Sequence, residues 1–175
     1  MTTTLSVEDV ELELIEVMAS CYADPLKHVL VSYPWGSEGT ALQGRDGPDQ
    51  WQRDFLIELG KEVKARRFNG VTAVDPVQFS TASGHGIGKS CLSAWIIRWI
   101  ADTRPHSVGT ITANTAEQLR SKTFAELGKW HAMGITKHWY QLNAGGGGSL
   151  NMYHKDHSTK QAAYPIKYLK CARVD

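Results

Sequence analysis

Apolar residues recur at helical spacing in four stretches of the chain. Val7, Val10, Leu14, Val17 and Met18 predict an amphipathic helix over residues 6–20, with Ser6 and Asp9 in capping positions. Trp51, Phe55, Leu59 and Val63 fall every fourth residue and predict a helix starting near Pro48-Asp49, with Lys61, Lys64, Arg66 and Arg67 crowded at its C-terminal end. Leu92, Trp95, Ile96, Trp99 and Ile100 form an i, i+3, i+4, i+7, i+8 stripe, and Asp102-Thr103-Arg104-Pro105 ends it. Leu119, Phe124, Leu127 and Trp130 predict a further helix running to about His131, opened by Asn114-Thr115 with Gln118 three residues on.

Two short β-rich runs, Val77 to Ala82 and Val108 to Ala113, lie between these helices. Strand, loop, helix, strand, helix is the order in which an α/β fold of the P-loop NTPase type begins, so the expected core is a parallel sheet flanked by helices. His28 to Tyr33 reads as a short apolar segment leading into Pro34-Trp35-Gly36 and a polar loop to Pro48. Ala144 to Ser149 contains four consecutive glycines, which suit a hairpin loop or an engineered linker equally well. Beyond Lys160 the periodicity is poor and weak order is expected. The chain thus divides into a lead-in (1–47), an α/β core (48–143) and a Gly-rich loop with a tail (144–175).

The 175 residues suffice for one domain with a core of its own. A hydrophobic content of 42% with 21% charged residues is that of a soluble globular protein, and a net charge of +1 shows no global bias toward nucleic acid or membrane. Cys21, Cys91 and Cys171 are odd in number and widely spaced, which argues against a disulfide framework and for a reducing, cytoplasmic setting. Met1-Thr2-Thr3-Thr4 carries no signal-peptide pattern, and no apolar run approaches membrane-spanning length.

The chemistry is concentrated in Ser83, Gly84, His85, Gly86, Ile87, Gly88, Lys89 and Ser90, between a β-rich run and an apolar helix. Glycines let successive backbone N–H groups converge on one concavity, and the following helix aims its positive end at it. Lys89 would reach the β- and γ-phosphates of a nucleoside triphosphate, and the Ser90 hydroxyl would ligate Mg²⁺. The usual pattern opens with Gly where this chain has Ser83, so the loop is a variant. His154 and His157 with His138 and Cys171 lack the pairing of a zinc site, and Cys91 suits packing better than nucleophilic chemistry. The basic residues at 61–67 are a candidate for DNA phosphate contact, though a helix end of this kind is more often a solvated cap.

Taken in order, several segments resemble the large subunit of phage DNA-packaging terminases, at its N-terminal ATPase end. They are Tyr33-Pro34-Trp35-Gly36, Gly47-Pro48-Asp49-Gln50-Trp51-Gln52, Ala82 to Ser90, Thr112-Ala113-Asn114-Thr115 with Gln118-Leu119, Lys129-Trp130-His131 and Tyr153-His154-Lys155-Asp156. The resemblance implies ATP and Mg²⁺ as cofactors, with double-stranded DNA, a small terminase subunit and the capsid portal as partners. It implies that Gln52 reads the adenine edge and that residues 112–115 lie near the nucleotide. It also exposes departures. After Gly128 the only acidic residues are Asp156 and Asp175, so the Mg²⁺-holding carboxylate and the catalytic Glu are not found, and no catalytic residue is assigned. The nuclease domain of such proteins is not expected within these 175 residues, and His85 stands where many terminases carry an Arg. The expectation is an ATP-binding fragment of a terminase-like protein, with self-association through an uncovered sheet edge. The alternatives are an inert prophage remnant and another P-loop NTPase of helicase or kinase type.

Overall fold

In the computed structural model, which describes residues 7–68, 72–82, 84, 86–104, 107, 109–145 and 149–154, the predicted helices form and the predicted strands do not. The chain separates into two units, residues 1–84 and 85–175.

In the first unit, α1 (Val7–Ser20) is followed by α2 (Pro25–Ser32) and α3 (Gln50–Arg66). The apolar segment His28 to Tyr33 belongs largely to α2. Its start signal is local: the Asp24 side chain accepts the Lys27 N–H at 3.0 Å, and Pro25 at the first helical position gives up an N–H that has no helical partner there. Helix α3 ends at Arg67, which adopts a left-handed conformation (φ 51°). Gly60 lets α3 approach the start of α2 closely, since a Cβ there would lie 3.1 Å from both the Ala23 carbonyl oxygen and Pro25 Cδ. The core includes Met18, Cys21, Val29, Leu56 and Leu59. The buried face of α3 is turned by one residue from the predicted one. Gln52, Leu56, Leu59 and Gly60 are buried, whereas Trp51 and Phe55 are only half-buried.

The second unit is built on α4 (Lys89–Thr103) and α6 (Ala125–Met133). Trp95 and Trp130 meet edge to face at 4.9 Å between ring centroids, with Leu92, Trp99 and Leu127 buried around them. Truncating such a buried tryptophan to alanine costs about 3–5 kcal/mol. A short α5 (Ala116–Gln118) passes into a π-helical segment, Leu119–Phe124, before α6. Leu119 and Phe124 are both buried yet five residues apart, a spacing that an α-helix of 3.6 residues per turn places on different faces. Widening the turn brings both onto the core side.

A 3₁₀ turn (Lys137–Trp139) leads into β1 (Tyr140–Gly145), which pairs antiparallel with β2 (Ser149–His154), from Tyr140 opposite His154 to Gly145 opposite Ser149. This hairpin is the only sheet among the described residues, so the expected parallel sheet is not the fold. Residues 77–82 are irregular and, apart from half-buried Val77, exposed where described. Residues 109–113 are irregular except for an isolated bridge at Thr110. The reason is visible in the residues. Strands buried on both faces read as nearly continuous apolar runs. Val77-Gln78-Phe79-Ser80 and Gly109-Thr110-Ile111-Thr112 instead alternate and bury at most one side. The first run is held to α3: Arg66 Nε donates to the Asp75 carbonyl at 3.1 Å, and the Phe79 ring packs 5.0 Å from Phe55.

Candidate functional site: the two ends of α4

The N-terminal end of α4 carries the glycine-rich loop. Gly86 (φ 81°) and Gly88 (φ 89°) both occupy the left-handed region, where a side chain would strain the backbone. Space is not the constraint at Gly86, because a Cβ there would meet nothing within 4 Å. Gly88 is the N-cap of α4, so Lys89 and Ser90 open its first turn, Lys89 half-buried and Ser90 exposed. Ile87 is exposed as well. Ser83 and His85 lie outside the described residues. This geometry suits a phosphate: glycine-permitted turns, a helix N-terminus of full length and an ammonium-bearing residue at its first position.

It suits the accompanying metal less well. Besides the Ser90 hydroxyl, Mg²⁺ needs carboxylate or water oxygens. The described part of the second unit has three carboxylates, Asp102, Glu117 and Glu126, and each is engaged elsewhere. Asp102 pairs with Arg98 at 3.1 Å, Glu117 with Arg120 at 3.1 Å, and Glu126 accepts the Trp130 indole N–H at 2.7 Å. Among the described residues no group of three or more His, Cys, Asp or Glu is gathered for a metal. Asp156 lies outside them. Thr115, expected near the nucleotide, caps α5 by accepting the Gln118 N–H at 3.1 Å.

Gln52 belongs to the first unit and is buried at 3% exposure. Its amide oxygen accepts the backbone N–H of Asp49, the N-cap of α3, at 3.0 Å. The acceptor half of the amide, which an adenine amino group would use, therefore already serves the helix cap. At the far end of α3, Lys61 pairs with Glu58 at 2.6 Å and Arg66 with Glu62 at 3.0 Å, so two of the four basic residues are balanced within their own helix.

The C-terminal end of α4 holds a polar cluster that sequence reasoning missed. The Arg98 guanidinium is 1% exposed and the Asp102 carboxylate fully buried, one turn apart at 3.1 Å. The Thr136 hydroxyl accepts from Arg98 Nη2 and donates to Asp102 Oδ2 at 3.0 Å. Arg98 Nη1 lies 3.1 Å from His131 Nδ1. A guanidinium only donates, so Nδ1 accepts and the neutral ring carries its proton on Nε2. Burial first, and then the neighbouring Arg98 charge, lower the His131 pKa from 6.5 to about 4. The Arg98 guanidinium also stacks over the Tyr140 ring, 4.6 Å from its centroid. Burial, with the Asp102 charge second, raises the Tyr140 phenol above its ordinary range. Helix α4, helix α6, the turn at Thr136 and strand β1 are thereby tied through one guanidinium. The available signal was Arg98 and Asp102 four residues apart inside an apolar helix; Thr136 and His131 come from more than thirty residues away.

No helix among the described residues is long and apolar enough to cross a membrane. Comparison with protein-family models, with curated proteins and with solved structures finds no match.

Proposed function

We propose that the chain binds the triphosphate of ATP at the N-terminal end of α4, as the ATP-binding part of a terminase-like large subunit that drives viral DNA into a capsid. The observation that carries this reading is Gly88, left-handed and capping a 15-residue helix, immediately before Lys89 and Ser90. Lys89 would contact the terminal phosphates and Ser90 would ligate the Mg²⁺ that accompanies ATP. DNA, a small terminase subunit and the portal are the partners that the resemblance adds. Binding without appreciable turnover is the expected behaviour, since the three described carboxylates of the second unit are all committed to other groups.

Calorimetry with ATP tests the reading. Lys89→Ala is expected to weaken binding by about tenfold or more, because a charge-assisted contact to phosphate is lost. Equal affinity in parent and variant would rule the site out. One observation favours the rival reading, a remnant that binds no nucleotide: residues 77–82, which should deliver the loop from a buried strand, are unpaired and largely exposed. That reading expects no saturable ATP binding by the parent.

A further inference from the structure

The loop that joins α2 to α3 ends in Asp46-Gly47-Pro48, and Arg53 on the first turn of α3 reaches back over it. Arg53 Nε donates to the Pro48 carbonyl at 2.8 Å, and Nη2 donates to the Asp46 carbonyl at 3.3 Å. The Asp46 carboxylate lies 3.6 Å from Nη2 and is fully exposed, so that ion pair is weak. Gly47 fits beneath the guanidinium. A Cβ there would lie 2.6 Å from Arg53 Nη2 and 2.9 Å from Leu30 Cδ2, so a side chain would push the grip aside. Its φ of 146° is also a conformation that residues with a Cβ rarely adopt. The fold thus favours glycine directly after an exposed aspartate.

That pair of residues carries a chemistry of its own. The backbone nitrogen of Gly47 can attack Cγ of Asp46. The N–Cγ bond forms, the protonated carboxyl loses its OH together with the amide proton as water, and a five-membered succinimide closes. With no Cβ beside it, the glycine nitrogen is unshielded. Water then reopens the ring. Addition at Cγ restores aspartate, whereas addition at the main-chain carbonyl carbon leaves the backbone running through the side chain, one methylene longer, as isoaspartate. Closure requires the Gly47 nitrogen to swing toward Cγ. That nitrogen shares one rigid peptide plane with the Asp46 carbonyl, so the Arg53 contact on the carbonyl also fixes the direction of the nitrogen.

We propose that Asp46 is a site of spontaneous isoaspartate formation and that Arg53 restrains the step by holding the peptide plane. The extra methylene enters the main chain three residues before Asp49, the N-cap of α3, and separates the two carbonyls that Arg53 grips. Each modified chain thereby loses its restraint along with its original register. This inference is independent of the nucleotide site.

The test ages the full chain for several weeks at neutral pH and body temperature, then locates isoaspartate by enzymatic carboxyl methylation and mass spectrometry of the digested protein. Sequencing of the peptides separates Asp46 from Asn69-Gly70, a pair open to the same ring closure that lies outside the described residues. Methylation at residue 46 is expected to accumulate in the parent. Asp46→Glu should show none there, because its longer side chain would need a six-membered ring. Arg53→Gln, which gives up the grip on the carbonyls, should accumulate isoaspartate about fivefold faster. The parent held unfolded in guanidinium should form it at least as fast as that variant. If circular dichroism shows that Arg53→Gln does not fold, Arg53→Lys, which keeps the charge without the two-point grip, is measured in its place with the same expectation. The proposal is overturned if Asp46 stays unmodified in the aged parent, if the folded variant matches the parent's rate, or if unfolding brings no acceleration.

Discussion

Helix α4 has two ends with opposite characters. At Gly88-Lys89-Ser90 the chain displays a motif legible to anyone reading along it, half-buried at Gly88 and Lys89 and exposed at Ser90. At Arg98 and Asp102 there is no motif, yet four elements meet on one buried guanidinium. Recognition chemistry can be written locally, because a phosphate asks for glycines, amides and a cation within a few residues. Cohesion is written at long range, and a buried charge is stable only when partners from elsewhere satisfy it.

The sharpest way to separate the two ends is to truncate each. Arg98→Ala leaves the Asp102 carboxylate buried without its cation and should destabilise the second unit by about 3–5 kcal/mol, read in urea-induced unfolding. A loss under about 1 kcal/mol would show that the cluster does not hold the second unit together. Lys89→Ala should do the reverse, costing ATP affinity while shifting the urea midpoint far less than Arg98→Ala, since Lys89 is only half-buried.

Acid offers a gentler probe of the buried end. His131 takes up a proton near pH 6.5 when unfolded but only near pH 4 when folded. The unfolded state therefore binds more protons between those values, so stability is complete above pH 6.5 and declines as pH falls toward 4. His131→Gln should flatten that decline in a pH series of melting temperatures, an effect moderated by the partial exposure of the ring. Tyr140 sets the opposite edge: its raised pKa means stability falls as pH climbs past 10. The smallest expected effect belongs to Gln52→Ala, which removes the reach back to Asp49 and should cost the first unit about 1 kcal/mol. If the same substitution also narrows a measured preference for ATP over GTP, the amide has a second role; if no preference exists in the parent, capping is its whole role.

The helices were legible where one face is apolar at a constant period, as in α1, α3 and α4. Helix α2 was concealed by its brevity, although Asp24-Pro25 announced its start. The parallel sheet was misread because β-rich runs such as Val77 to Ala82 suit any extended chain. Whether such a run pairs depends on neighbours that its own residues do not specify, and here Phe55 and Arg66 take those places. The turns at Gly86 and Gly88 and the start of a helix beside Ser90 were legible. Gln52 was read as a base reader, and its buried cap was not foreseen because burial of a polar side chain depends on what packs above it.

The π segment at Leu119–Phe124 has a consequence for how the chain tolerates length changes. Elsewhere in a helix, deleting one residue rotates everything beyond it by about 100° and drags the apolar face into water. Between Leu119 and Phe124 the helix already holds one residue more than its core contacts require. Deleting exposed Lys122 would set those two side chains four apart, the spacing an ordinary α-helix accommodates. The segment is a splice in an otherwise continuous rod, the place where a codon could enter or leave the gene with the tryptophan core beyond it still in register.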